Sequence, residues 1–213
     1  MNGAVLLEAR PYADHVTPVT ENSSPDTQTS DLTGQFLVAM PGMGDPRFDQ
    51  AVVYVCAHSD DGAMGLIINK PAEDVQFADL LKQLDIEKPD TGRDIRVMYG
   101  GPVEHGRGFV LHSSDYEGND STLVVDDRVG MTATLDILED IARGEGPKSS
   151  MLALGYSGWG PGQLEGELMQ NGWLTCNALP ELIFGERDDG KWLAAIKSLG
   201  IDPLLLSSKG GRA

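Results

Sequence analysis

Cysteine, basic charge and long apolar runs are all scarce in this chain of 213 residues, and each shortage closes off a class of protein. The two cysteines, Cys56 and Cys176, are too few and too far apart for a disulfide framework, and there is no CxxC pair to mark a zinc or thioredoxin-like site. They read as reduced thiols in a cytoplasmic protein. The longest apolar run near the start, Ala4 to Leu7, follows no basic residue and falls far short of a secretory or membrane-spanning segment. The chain is therefore expected to be neither exported nor inserted. Against 33 acidic side chains there are only 16 basic ones, a formal charge of -17. Such a field repels phosphate backbones and anionic headgroups, so neither direct nucleic-acid binding nor membrane binding is expected.

What is present is ordinary globular material: 40% apolar and 23% charged residues, enough for one core. Residues 1–31 hold Pro11, Pro18 and Pro25 among Ser, Thr, Asn and Asp with no apolar period, and read as a flexible tail before a single domain over 32–213. That tail carries five acids and one base, which leaves 28 acids and 15 bases, or -13, on the domain itself.

From Leu32 the pattern is strand-like over Phe36–Met40, Ala51–His58 and Met64–Asn69, with Ser59-Asp60-Asp61-Gly62 as the hairpin turn between the last two. Phe77, Leu80, Leu81 and Leu84 recur at helical spacing within about Gln76–Leu84. Further strands are expected at Arg96–Tyr99, Gly108–Ser113, Leu123–Asp126, Met151–Tyr156 and Trp173–Asn177. Helices are expected from a Thr132 cap to Arg143 with Gly144 as the stop, over Gly162–Gln170, and over Trp192–Leu199. Hairpins mixed with isolated helices, without regular βαβ alternation, indicate an α+β class.

Several blocks carry a resemblance: Leu32 through Pro41, Asp45-Pro46-Arg47-Phe48, Gly62 through Pro71, Tyr99-Gly100-Gly101-Pro102-Val103, Arg107 through His112, and Gly155 through Glu165. In this order they resemble the AlgH/YqgE family of bacterial proteins, from about Leu32 to the C-terminus. The resemblance implies a mixed, strongly bent β-sheet approaching a barrel with several packed helices. It also implies a cytoplasmic protein of a family sometimes labelled transcriptional regulators, with no agreed enzymatic activity.

As chemistry, Cys56-Ala57-His58 is the sharpest local arrangement. Residues two apart on a regular strand share a face, and a neighbouring imidazolium lowers a thiol's pKa. Cys56 and His58 are therefore the catalytic candidates, and the family pattern has Cys and His in these places. The plainer alternative is a small buried hydrophobe beside a turn-capping histidine. Gly100 and Gly101 lie in a Gly-rich connection whose amides could meet an anion, although it is neither a P-loop nor a dinucleotide fingerprint. Ser157 lacks the second glycine of a hydrolase elbow, and the family often has alanine there.

The remaining candidate pocket residues are Asn69, His112, Trp159 and Gln163. The four histidines stand in no HxH or HxxxH pair, so no metal site is expected, and no cofactor fingerprint is present. Two functions follow. One is a binding or regulatory domain acting through a protein partner or small ligand. The other is an enzyme using the Cys56/His58 pair.

Overall fold

A computed structural model describes residues 31–89, 92–118, 121–185, 187–203 and 206. Apart from Asp31, the expected N-terminal tail lies outside them.

The strands are β1 (Gln35–Ala39), β2 (Val52–Ser59), β3 (Gly62–Ile67), β4 (Arg96–Tyr99), β5 (Val103–Ser113), β6 (Thr122–Val124), β7 (Val129–Thr132), β8 (Ser150–Trp159) and β9 (Trp173–Asn177). The helices are α1 (Phe77–Gln83), α2 (Leu135–Arg143), α3 (Gln163–Met169), α4 (Pro180–Phe184) and α5 (Lys191–Ser198). The sheet runs β6-β7-β5-β8-β3-β2-β1-β9, antiparallel throughout, with β4 added parallel to β8. The mixed, single-domain α+β sheet that the sequence pattern and resemblance implied is what forms.

Why the sheet curls follows from its pleat. Alternate residues of a strand face opposite sides, and on one side Phe36 and Tyr54 from one half of the sheet share a core with Phe109, Leu111 and Met151 from the other. Two distant halves can share one core on one face only if the sheet bends towards that face. The outer face is consequently split. Leu37, Val53, Trp159 and Leu164 form one cluster under α3. Val110 and Leu152 form another under α1 and α2, whose Leu81, Ile137, Leu138 and Ile141 cover them. No helix among the described residues is long and apolar enough to cross a membrane.

Local structure departs from expectation in several places. Thr132 does not cap α2; it ends β7, and Thr134 occupies the cap position without a side-chain bond to the helix N–H groups. The short segment Val129–Thr132 becomes a strand because β5 and β6 pair with it on both sides, a long-range cause invisible to local pattern. Strand β8 also continues beyond Tyr156 to Trp159, since Ser157, Gly158 and Trp159 pair with Gly65, Met64 and Ala63 of β3. Finally, Pro180–Phe184 forms a helix that had no expectation attached, with proline in its first turn where a missing N–H costs nothing.

Candidate functional site

Strand β2 carries a bulge that decides the fate of the Cys56/His58 pair. Val55 pairs with Gly65 but Ala57 already pairs with Met64, so one extra residue, Cys56, is inserted on the β2 side. Before the bulge, Tyr54 faces the inner core and Val55 the outer one. Cys56 joins Tyr54 inside, whereas His58 pairs with Ala63, which belongs to the outer cluster. The shared face expected from simple alternation is thus lost. The Cys56 thiol is 1% exposed and donates to the Tyr54 carbonyl at 3.6 Å. Burial pushes its pKa up, away from the thiolate that nucleophilic chemistry requires.

His58 instead makes two directed bonds. Its Nδ1 accepts from the Leu32 backbone N–H at 3.2 Å, so in the neutral ring the proton sits on Nε2, which donates to Glu165 Oε1 at 2.8 Å. The Asp31 carboxylate lies 4.0 Å from Nδ1. The Glu165 carboxyl is held below its ordinary range, first by a hydrogen bond from its own backbone N–H and then by His58, with burial opposing.

The other candidates are distributed through the scaffold. Asn69 accepts from the Val52 N–H and donates to the Gln50 carbonyl, both at 2.8 Å, and so pins the entry to β2. The Gly100 N–H donates to the Leu154 carbonyl, so it is not free for an anion. At Gly101 a Cβ would stand 2.2 Å from the Tyr156 carbonyl carbon, and this close approach of two backbones is why glycine is needed. His112 is buried: Nδ1 donates to the Ser113 carbonyl at 3.0 Å, and Nε2 accepts from the Thr132 hydroxyl at 2.9 Å. Burial lowers its pKa, which favours this neutral form. Ser157 is fully buried with its hydroxyl on the Gly100 carbonyl. Among the described residues no three His, Cys, Asp or Glu side chains come together as a metal site.

Trp159 and Gln163, by contrast, do meet, at a cleft of about 680 Å3 between the Met40–Phe48 segment and α3. Helix α3 builds it. Residues two apart on a helix diverge by about 200°, which sends Glu165 to His58 and Glu167 the opposite way. Residues four apart align, so Gln163 Nε2 reaches Glu167 Oε1 at 3.0 Å, while Gln163 Oε1 accepts the Gly160 N–H at 3.1 Å. Glu167 Oε2 accepts both indole N–H groups, from Trp159 at 2.9 Å and from Trp173 at 2.7 Å. Their rings pack edge to face at 5.8 Å, and Phe48 stacks in the same manner on Trp173 at 5.4 Å.

Glu167, Trp173 and Phe48 are cleft residues that the sequence reading passed over. Trp159, Gln163 and Glu167, each four residues beyond the last, were the available signal.

Comparison with known proteins follows the same segments. The family described as AlgH-like matches residues 36–204. A UPF0301 protein of Cereibacter sphaeroides is 59% identical over 183 residues, covering 86% of this chain and 100% of that protein. One from Ruegeria pomeroyi is 60% identical over 184 residues, with 86% and 100% covered. Among solved structures, the solution structure of the AlgH protein from Pseudomonas aeruginosa has a TM-score of 0.71 at 42% identity, covering 91% of this chain and 100% of that one. A crystal structure of a Corynebacterium diphtheriae protein, 20% identical with a TM-score of 0.67 and 88% and 95% covered, shares the fold.

Proposed function

Because this chain belongs to the AlgH-like family, we propose that it is a cytoplasmic binding domain, regulatory and not catalytic, which takes a small ligand or a segment of a partner protein into the Trp159/Trp173 cleft. The observation that carries this reading is the cleft itself. Its volume falls in the range of small-molecule sites, and a hydrogen-bond network centred on Glu167 fixes Trp159, Gln163 and Trp173 in its lining. Any part in transcription, the label attached to the family, runs through such a partner, since the acidic field keeps the chain from duplex DNA.

The alternative, an enzyme using Cys56 and His58, lacks geometric support, because the thiol and imidazole leave β2 on opposite faces. The test is to map the amide and indole resonances that move when cytosolic metabolite pools and candidate partner proteins are added. The reading expects perturbations at Phe48, Trp159, Gln163 and Trp173. A ligand that moves only residues around Cys176 and Leu199, at the second depression of the surface, would assign binding elsewhere.

A further inference from the structure

The cleft has a charge pattern that bears on what it takes, and the argument rests on the proposed binding role. Three of its lining residues are charged: Asp45, Arg47 and Glu167. The first two neutralise each other, with Arg47 Nε 3.0 Å from both carboxylate oxygens of Asp45 and Nη2 2.6 Å from Oδ2. Glu165, the other acid on this helix, turns away to His58. Glu167 is different. Its partners are two indole N–H groups and one amide NH2, all neutral, and among the described residues no Lys, Arg or His lies within ion-pair distance of it. Neutral donors orient and stabilise a carboxylate without cancelling its charge. Half-buried against the Trp159 and Trp173 indoles, that charge is screened less than it would be in water.

We propose that the cleft is selective for a small organic cation, a protonated amine or guanidinium on an apolar stem, with Glu167 as its counter-charge. The stem lies against Met43, Phe48 and Val103, all of which line the cleft, where an aromatic ring such as Phe48 also favours a cation. An anion of the same shape meets both Glu167 and the -17 of the chain. A neutral analogue keeps the apolar contact and loses the charge term.

The test uses three probes of one shape, 4-phenylbutylamine, 4-phenylbutanol and 4-phenylbutyrate, titrated into the full chain at low salt. The readout is the indole N–H resonances of Trp159 and Trp173. Trp192, whose indole donates to the Ala39 carbonyl, is the internal control. The amine should bind about tenfold more tightly than the alcohol, the butyrate more weakly than either, and the advantage should shrink as salt is added. Glu167→Gln should bring the amine down to the affinity of the alcohol. Equal affinity of amine and alcohol in the wild-type protein overturns the cation preference and leaves the cleft as a binding site. Silence of both indoles towards all three probes overturns the cleft as a small-molecule site as well. A Phe-Lys-Phe peptide amide that binds where the free amine does not assigns the cleft to a partner protein and overturns this inference.

Discussion

His58 Nε2 donates to Glu165 Oε1 at 2.8 Å, tying strand β2 to helix α3, while the same ring accepts the Leu32 N–H ahead of β1. One imidazole therefore joins three segments, and its loss leaves a buried amide and a carboxylate without their partner. His58→Ala should lower stability by about 1–3 kcal/mol, the usual cost of orphaning buried polar groups. A urea titration measures it as a lower midpoint. His58→Gln, which retains an acceptor and a donor, should recover part of the loss. An unchanged midpoint for His58→Ala would remove this ring from the list of structural ties.

The bulge at Cys56 leads to a prediction about thiol reactivity. The thiol is buried in the inner core and its pKa is raised by burial, and Cys176 is also raised but is the more exposed of the two, at 8% against 1%. Iodoacetamide at neutral pH should therefore modify Cys176 before Cys56, and Cys56 only on unfolding, as peptide mapping by mass spectrometry would show. Labelling of Cys56 first, slowed by His58→Ala, would restore the thiol as a candidate nucleophile.

Lys191 gives a pH dependence with a definite sign. Its ammonium is 2% exposed, bonded to the carbonyls of Ile68 and Ile183 and paired with Asp188, which also pairs with Arg96. Burial lowers its pKa from 10.5 to about 8, with Asp188 opposing and Arg96 adding to the shift. The unfolded chain then keeps a proton that the folded chain has released between about pH 8 and 10.5, so this group makes the fold more stable as pH rises through that window. Tyr54, Tyr116 and Cys56 are shifted up and act in the opposite sense at alkaline pH, but they are common to wild type and variant. The difference in unfolding free energy between wild type and Lys191→Met should therefore move in favour of wild type as pH rises from 8, by at most about 1.4 kcal/mol per unit. A flat difference across this range would mean that Lys191 keeps its ordinary pKa.

Duplex DNA should bind only weakly at physiological salt, because a domain at -13 approaches a polyanion against its own field. Fluorescence anisotropy with labelled duplexes of varied sequence checks this. Sub-micromolar, sequence-dependent affinity of the isolated chain would contradict it, whereas a complex formed only with a basic partner protein would not.

Much of the architecture was legible in local pattern. The apolar runs at Phe36–Ala39 and Val52–Cys56, the turn at Asp61-Gly62 and the Leu138/Ile141 stripe ended by Gly144 depend on neighbours along the chain, which is why alternation and spacing disclose them. Trp159 and Gln163 were also singled out, since a Gly-Pro-Gly turn running into a helix is a local signal. Tertiary pairing decided the rest. Thr132 belongs to a strand because β5 and β6 lie on either side of it. Cys56 turns away from His58 because two residues of β2 must be accommodated against one step of β3, a mismatch that neither strand contains alone. Glu167 becomes the centre of the cleft only when β8 and β9 bring two indoles to a single carboxylate oxygen. A side chain's face on a strand is set by hydrogen bonds to a partner strand, and those bonds are not written in the spacing of the strand itself.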